Sequence, residues 1–277
     1  MLYLTFGIEI LLMIGLPVGL WFWTRRRFGV PWALIGAGVA TFILSQVIHL
    51  PLNGALGLLR GEGGVAEWPI PAMAAVAGLS AGLCEELARY LVLRFWRREA
   101  RSWGEGVAFG AGHGGVESIT LGVMVLVNVA YLTVMRRMGG EALGLTGEML
   151  AQFEDQVATF WSTAWYLPLL GGLERAFALT MHIAWTLLVI RSLRRNNLFW
   201  LLAAILAHAA VDAVAVSLVE IGWSALAIEG VLLIFALGAG VVIWRLRSMS
   251  PAPESDPLEY GSTQICGVKI GLEANLS

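Results

Sequence analysis

Seven long apolar stretches constrain this chain more than any other feature. They run over 3–23, 30–59, 69–93, 104–135, 164–190, 198–219 and 223–244. A bilayer core of about 30 Å needs about 20 apolar residues of helix, and each stretch supplies that length. Lipid offers no partner for an unsatisfied backbone group, so such segments cross as helices. The expected fold is therefore all-α, a polytopic transmembrane bundle of about seven spans. Composition agrees: 58% of residues are hydrophobic and 14% are charged, against about a quarter charged in soluble domains. This excludes disorder, a disulfide scaffold and an ordinary soluble enzyme, and implies no nucleic-acid partner. Cys84 lies in an apolar run and Cys266 in a polar tail, so no structural disulfide is expected.

Loop charge sets an expected orientation. Arg25, Arg26, Arg27, Arg94, Arg97, Arg98, Arg101, Arg191, Arg194, Arg195, Arg245 and Arg247 fall in alternate loops. The opposite loops hold only Arg60, Arg136 and Arg137. Positive loops stay inside, which places the N-terminus outside and the C-terminus in the cytoplasm of a multi-pass cell-membrane protein. The first stretch does not read as a cleaved signal, because Glu9 lies within it and its arginines follow it. The membrane domain is expected over 1–247. A polar, disordered cytoplasmic tail is expected over 248–277, where Pro251, Pro253 and Pro257 lie.

Between spans four and five, Met149, Leu150, Phe153, Val157, Phe160 and Trp161 form an apolar helical stripe. It suits a helix in the outer interface or one packed on the bundle. Trp21, Trp23, Trp68, Trp103, Trp165, Trp200 and Trp223 fall near span ends and read as an aromatic belt.

Ionisable residues at membrane depth cost a few kcal/mol and mark function by default. Span three carries Glu85, Glu86 and Arg89; span four His113 and Glu117; span five Glu174, Arg175 and His182; span six His208 and Asp212. At 1.5 Å per residue, Glu85, His113, His182 and His208 lie about 12–15 Å from the cytoplasmic ends of their spans. Four helices thus place polar groups in one layer. His49 falls about 28 Å from that side, outside the layer, and a hydrogen-bond network with Gln46 and Asn53 is expected there. Adjacent helix residues point about 100° apart, so one of Glu85 and Glu86 faces the site while the other pairs with Arg89. Glu174 and Arg175 read as a structural pair. The glycines flanking His113 read as close helix packing or a local helix distortion.

Two hydrolytic designs suit such a layer. In one, His113, His182 and His208, or two of them with a carboxylate, hold Zn²⁺ and leave a position for water. Glu85 or Glu86 then takes the water's proton. In the other, Glu85 and His113 activate water without a metal, while His208 and Asp212 stabilise charge or orient the partner imidazole. The H-E-x-x-H pattern is absent.

The set Cys84-Glu85-Glu86-Leu87-Ala88-Arg89-Tyr90, Phe109 to Glu117 with His113 at its centre, and His208-Ala209-Ala210-Val211-Asp212 resembles the YhfC family of intramembrane metalloproteases. That family is related to the CAAX-prenyl and bacteriocin-processing endopeptidases and to the PrsW proteases. The segment from Ser45 to Asn53 is also YhfC-like, and the resemblance covers 45–215. Arg89 departs from the CAAX-type motif by coming three residues after Glu86 rather than four. The resemblance implies a membrane-embedded endopeptidase acting on a membrane-associated peptide or protein, with Glu85, Glu86, His113, His208 and Asp212 as catalytic candidates. The depth of the layer puts the expected cleavage near the cytoplasmic leaflet. A proton-coupled transporter and a non-catalytic scaffold are the readings it competes with.

Overall fold

In a computed structural model the chain is described over residues 1–59 and 63–249. Arg60, Cys266 and the tail from residue 250 lie outside the described residues. All regular structure among the described residues is helical. Seven helices are long and apolar enough to cross a membrane: Leu2–Phe28, Trp32–Ala55, Ile70–Trp96, Trp103–Met138, Leu167–Arg195, Phe199–Glu220 and Ala225–Ser248. They match the expected stretches one for one and are called spans one to seven.

Local chemistry sets several boundaries. Span one carries a π-helical turn at Leu11–Gly15 and ends at Gly29, whose φ of 67° suits a left-handed cap. Span two stops at Ala55, short of the expected 59. The chain turns there because Gly57 takes φ 69°, and a Cβ on it would lie 2.6 Å from Gly64 Cα. Span four opens on a capping box: Ser102 Oγ accepts from Glu105 N at 3.3 Å, and Glu105 Oε2 accepts from Ser102 N at 2.8 Å. Just before it, the Arg101 guanidinium donates to the carbonyls of Leu93, Arg97 and Ala100, closing the end of span three.

Lipid tails are as apolar as leucine, so burial of apolar surface does not by itself drive spans together; close packing does. Glycine makes that packing here. A Cβ on Gly38 would sit 2.1 Å from Phe109 O, and one on Gly112 2.2 Å from Ile35 O, so spans two and four touch backbone to backbone. Gly78 and Gly82 do the same for spans three and six, at 2.2 Å from Ala209 O and 2.7 Å from Ile205 O. Gly106, Gly110 and Gly114, spaced four apart, turn span four toward Leu187, Ile183 and His182 of span five. Span four stays helical through its glycine run, so of the two readings of those glycines close packing holds.

The helix Gly147–Trp161 follows span four. Its last turn sits on the bundle: Phe160 stacks on Phe6 at 5.2 Å, and Trp161 lies 4.8 Å from Tyr3. Met149 at its start is exposed. Two tryptophans of the expected belt instead join spans. Trp21 Nε1 donates to Ala111 O at 2.7 Å and Trp103 Nε1 to Ile243 O at 2.9 Å. A buried indole N–H needs an acceptor, and a carbonyl across a helix contact supplies it. Trp23, Trp68, Trp165 and Trp223 are exposed.

The glycine contacts predict opposite signs for one substitution. Gly78→Ala gains about 1 kcal/mol of helix propensity but drives Cβ into a carbonyl, and overpacking costs about 1–3 kcal/mol. Its thermal midpoint in detergent is expected to fall. Gly238 has nothing within 4 Å of an added Cβ, so Gly238→Ala is expected to match or exceed wild type.

Candidate active site

Packing brings the ionisable residues of spans three to six together. The ring centroids of His113 and His182 are 5.3 Å apart, and those of His182 and His208 are 5.4 Å apart. Arg89 is their hub and is fully buried. Its guanidinium pairs with Glu86, lies 3.5 Å from Glu85 Oε2, and reaches His182 Nδ1 at 2.6 Å. An arginine always carries its proton, so His182 Nδ1 must accept here. His182 Nε2 then faces Glu117 Oε2 at 2.6 Å.

The adjacent glutamates diverge as helix geometry requires. Glu85 lines a cavity of about 310 Å³. Its Oε2 meets His113 Nε2 at 3.0 Å, and its Oε1 accepts from Gln46 Nε2 at 3.2 Å. Glu86 has no exposed surface and holds His208 Nδ1 at 2.9 Å as well as Arg89. His208 stacks on Trp185 at 4.1 Å and turns Nε2 toward Asp212 Oδ2, 3.5 Å away. Arg175 donates to Glu117 Oε1 at 3.0 Å and also pairs with Glu174, so that pair is joined to the site rather than separate from it.

His49 is expected outside the layer, but the structure joins it to the layer. It contacts Gln46 Oε1 at 3.3 Å, Ser80 Oγ at 3.2 Å and Asn53 Nδ2 at 3.0 Å. Gln46 carries that network to Glu85, and both Gln46 and His49 line the cavity. Depth counting alone could not find this, because the cavity extends along the spans and adjoins more than one level. Two more buried or half-buried acids escaped the sequence reading of the site. Glu9 is 6% exposed beside Gly171, and Glu229 lies in span seven; each has an unpartnered carboxyl oxygen. Both stand in stretches whose hydropathy hid them.

Five carboxylates (Glu85, Glu86, Glu117, Glu174 and Asp212) face two guanidiniums, Arg89 and Arg175. The formal excess of three negative charges calls for protons on the histidines or for a bound cation. Among the described residues, Glu85, His113 and His182 each offer a ligand atom, all within 4.8 Å of one another. A carboxylate with two imidazoles is a zinc-type donor set. His113 Nδ1 and Glu86 Oε2 are buried without partners, which also suits a cation nearby. The residues therefore fit a metal, with one condition. Each nitrogen of His182 already has a neighbour, Arg89 or Glu117, and one of them would have to give way. His208 is not in this group; its nitrogens face Glu86 and Asp212.

The model of the YhfC intramembrane metalloprotease family matches residues 12–233. The uncharacterized membrane protein YhfC of Bacillus subtilis strain 168 is 31% identical over 207 residues, covering 73% of this chain and 79% of that protein. No solved structure matches. With seven apolar helices and a membrane-protein relative, the molecule is a multi-pass membrane protein. The chain belongs to the YhfC intramembrane metalloprotease family.

Proposed function

We propose that this protein is an intramembrane endopeptidase in which Glu85 handles the proton of the attacking water. The observation that carries this reading is that Glu85 faces the cavity while held from both sides, by His113 at 3.0 Å and Gln46 at 3.2 Å. A carboxylate fixed in that way keeps a free lone pair toward the void. Water there can pass its proton to Glu85 as it attacks a peptide carbonyl. His208 lines the same cavity and is braced by Glu86, Asp212 and the Trp185 ring. It is placed to donate toward the oxyanion or the departing amine. Glu86 and Arg89 act behind the site, fixing His208 and His182 rather than meeting substrate.

A cation would be held by Glu85, His113 and His182. It would supply Lewis acidity toward the scissile carbonyl and the attacking water. With Glu85 engaged in that way, Glu117, the cavity carboxylate beside His182, would be the residue placed to hold a proton. The metal-free form, in which Glu85 itself takes the proton, is the first reading, and the Arg89 contact to His182 favours it.

Two measurements test these assignments. New protein N-termini should appear in membranes of cells expressing the wild type. In Glu85→Gln their rate of appearance should drop by about 10²–10⁴ at unchanged protein level and melting midpoint. Full cleavage by that variant would remove Glu85 from the reaction. Elemental analysis of protein purified without chelator or a nickel column separates the two forms. The metal form predicts one zinc-type ion per chain, absent in His113→Ala and His182→Ala but retained in Glu117→Gln, which should be inactive. Active protein that contains no metal would establish the metal-free form.

A further inference from the structure

The bundle is asymmetric along its length. Between the histidine layer and the arginine-rich end, spans three, four and five pack closely; an apolar cavity of about 340 Å³ lies at that level between spans five, six and seven. Span five is buried at every position from 181 to 190, and span four from 106 to 115. Leu93, Phe109, Leu187 and Ile190, from three spans, have no exposed surface and fill this half. Toward the other end the same spans part. Residues 174–178 of span five and 212–218 of span six are all partly exposed.

The cavity follows this asymmetry. From Glu85 its wall runs back to Ala81 on span three; from Glu117 it runs on to Thr120 and Leu121 on span four. On span six it continues from His208 to Ala215, and on span two from Phe42 to His49. Each of these steps leads away from the loops that carry Arg94 to Arg101 and Arg191 to Arg195. On that side the polar groups of Glu174, Arg175, Asp212 and Ser217 are half-exposed, whereas the core of spans three to five on the other side is apolar and close-packed, a barrier to water and to peptide backbone.

We propose that water and substrate reach the site from the end of the bundle opposite the arginine-rich loops, toward which its polar cavity extends and which loop charge assigns to the extracytoplasmic face. The substrate class is then a membrane-associated peptide, or a transmembrane segment entered from its extracytoplasmic end. The proposal concerns the direction of approach and leaves the level of the site, nearer the cytoplasmic ends of the spans, as expected from helix rise. The naming of a substrate rests on the peptidase reading; the direction of access does not.

Cysteine labelling tests the direction without any turnover. In a Cys84→Ser, Cys266→Ser background, Ala215→Cys and Thr120→Cys place thiols on two walls of the cavity. Ser162→Cys marks the loop before span five and Arg26→Cys the arginine-rich end, both exposed. A small membrane-impermeant cationic methanethiosulfonate is added to right-side-out and to inside-out vesicles. Both cavity thiols should react in the preparation that exposes Ser162→Cys, at least about tenfold faster than in the one that exposes Arg26→Cys. Reaction with the Arg26→Cys side, or with neither, would overturn the proposal. Reaction of Ser162→Cys in inside-out rather than right-side-out vesicles would overturn its extracytoplasmic assignment. Cleavage that fails while labelling succeeds would count against the peptidase alone.

Discussion

One buried guanidinium organises the polar heart of this molecule. An unpaired charge at membrane depth is too costly to keep. Arg89, without solvent contact, must therefore find its acceptors inside the bundle. It finds Glu85 and Glu86 on its own helix and His182 on span five. Each of those groups then fixes another: Glu85 takes His113 and Gln46, Glu86 takes His208, and His182 meets Glu117. The orientation of five spans follows from satisfying one cation. Removing a member would strand its partner, which makes such a network strongly specifying even where its net stabilisation is small.

The network closes only because backbones approach closely enough for short side chains to meet. Gly38, Gly78, Gly82 and Gly112 provide that approach, each at a position where a methyl group would strike a carbonyl. Close packing of spans three to five on one side of the histidine layer, and helices that part on the other, leave a cavity with a polar floor that extends away from the arginine-rich loops. The same packing that positions the carboxylates thus decides what can reach them.

Much of this was legible in the chain. The seven spans follow from hydropathy because lipid leaves the backbone no alternative to a helix. The layer of Glu85, His113, His182 and His208 follows from a fixed rise per residue, which converts sequence position into depth. The divergence of Glu85 from Glu86 follows from helical twist. Less legible was lateral placement. Gln46 and His49 read as a separate polar group, since depth says nothing about which helices are neighbours. Trp21 and Trp103 read as belt residues, since nothing in their spacing reveals a carbonyl across a helix contact.

The sequence by itself determined the membrane class, the helix count, the common level of Glu85, His113, His182 and His208, and the family. Those properties depend on composition and on distance along one helix, and both are local. Tertiary structure alone decided that Glu85 rather than Glu86 faces the void, that Glu85, His113 and His182 form the closest donor group, and that Gln46 reaches Glu85. It also decided along which spans the cavity extends. Those depend on rotation and contact between helices far apart in the chain, and side-chain packing sets them only once all the spans are assembled.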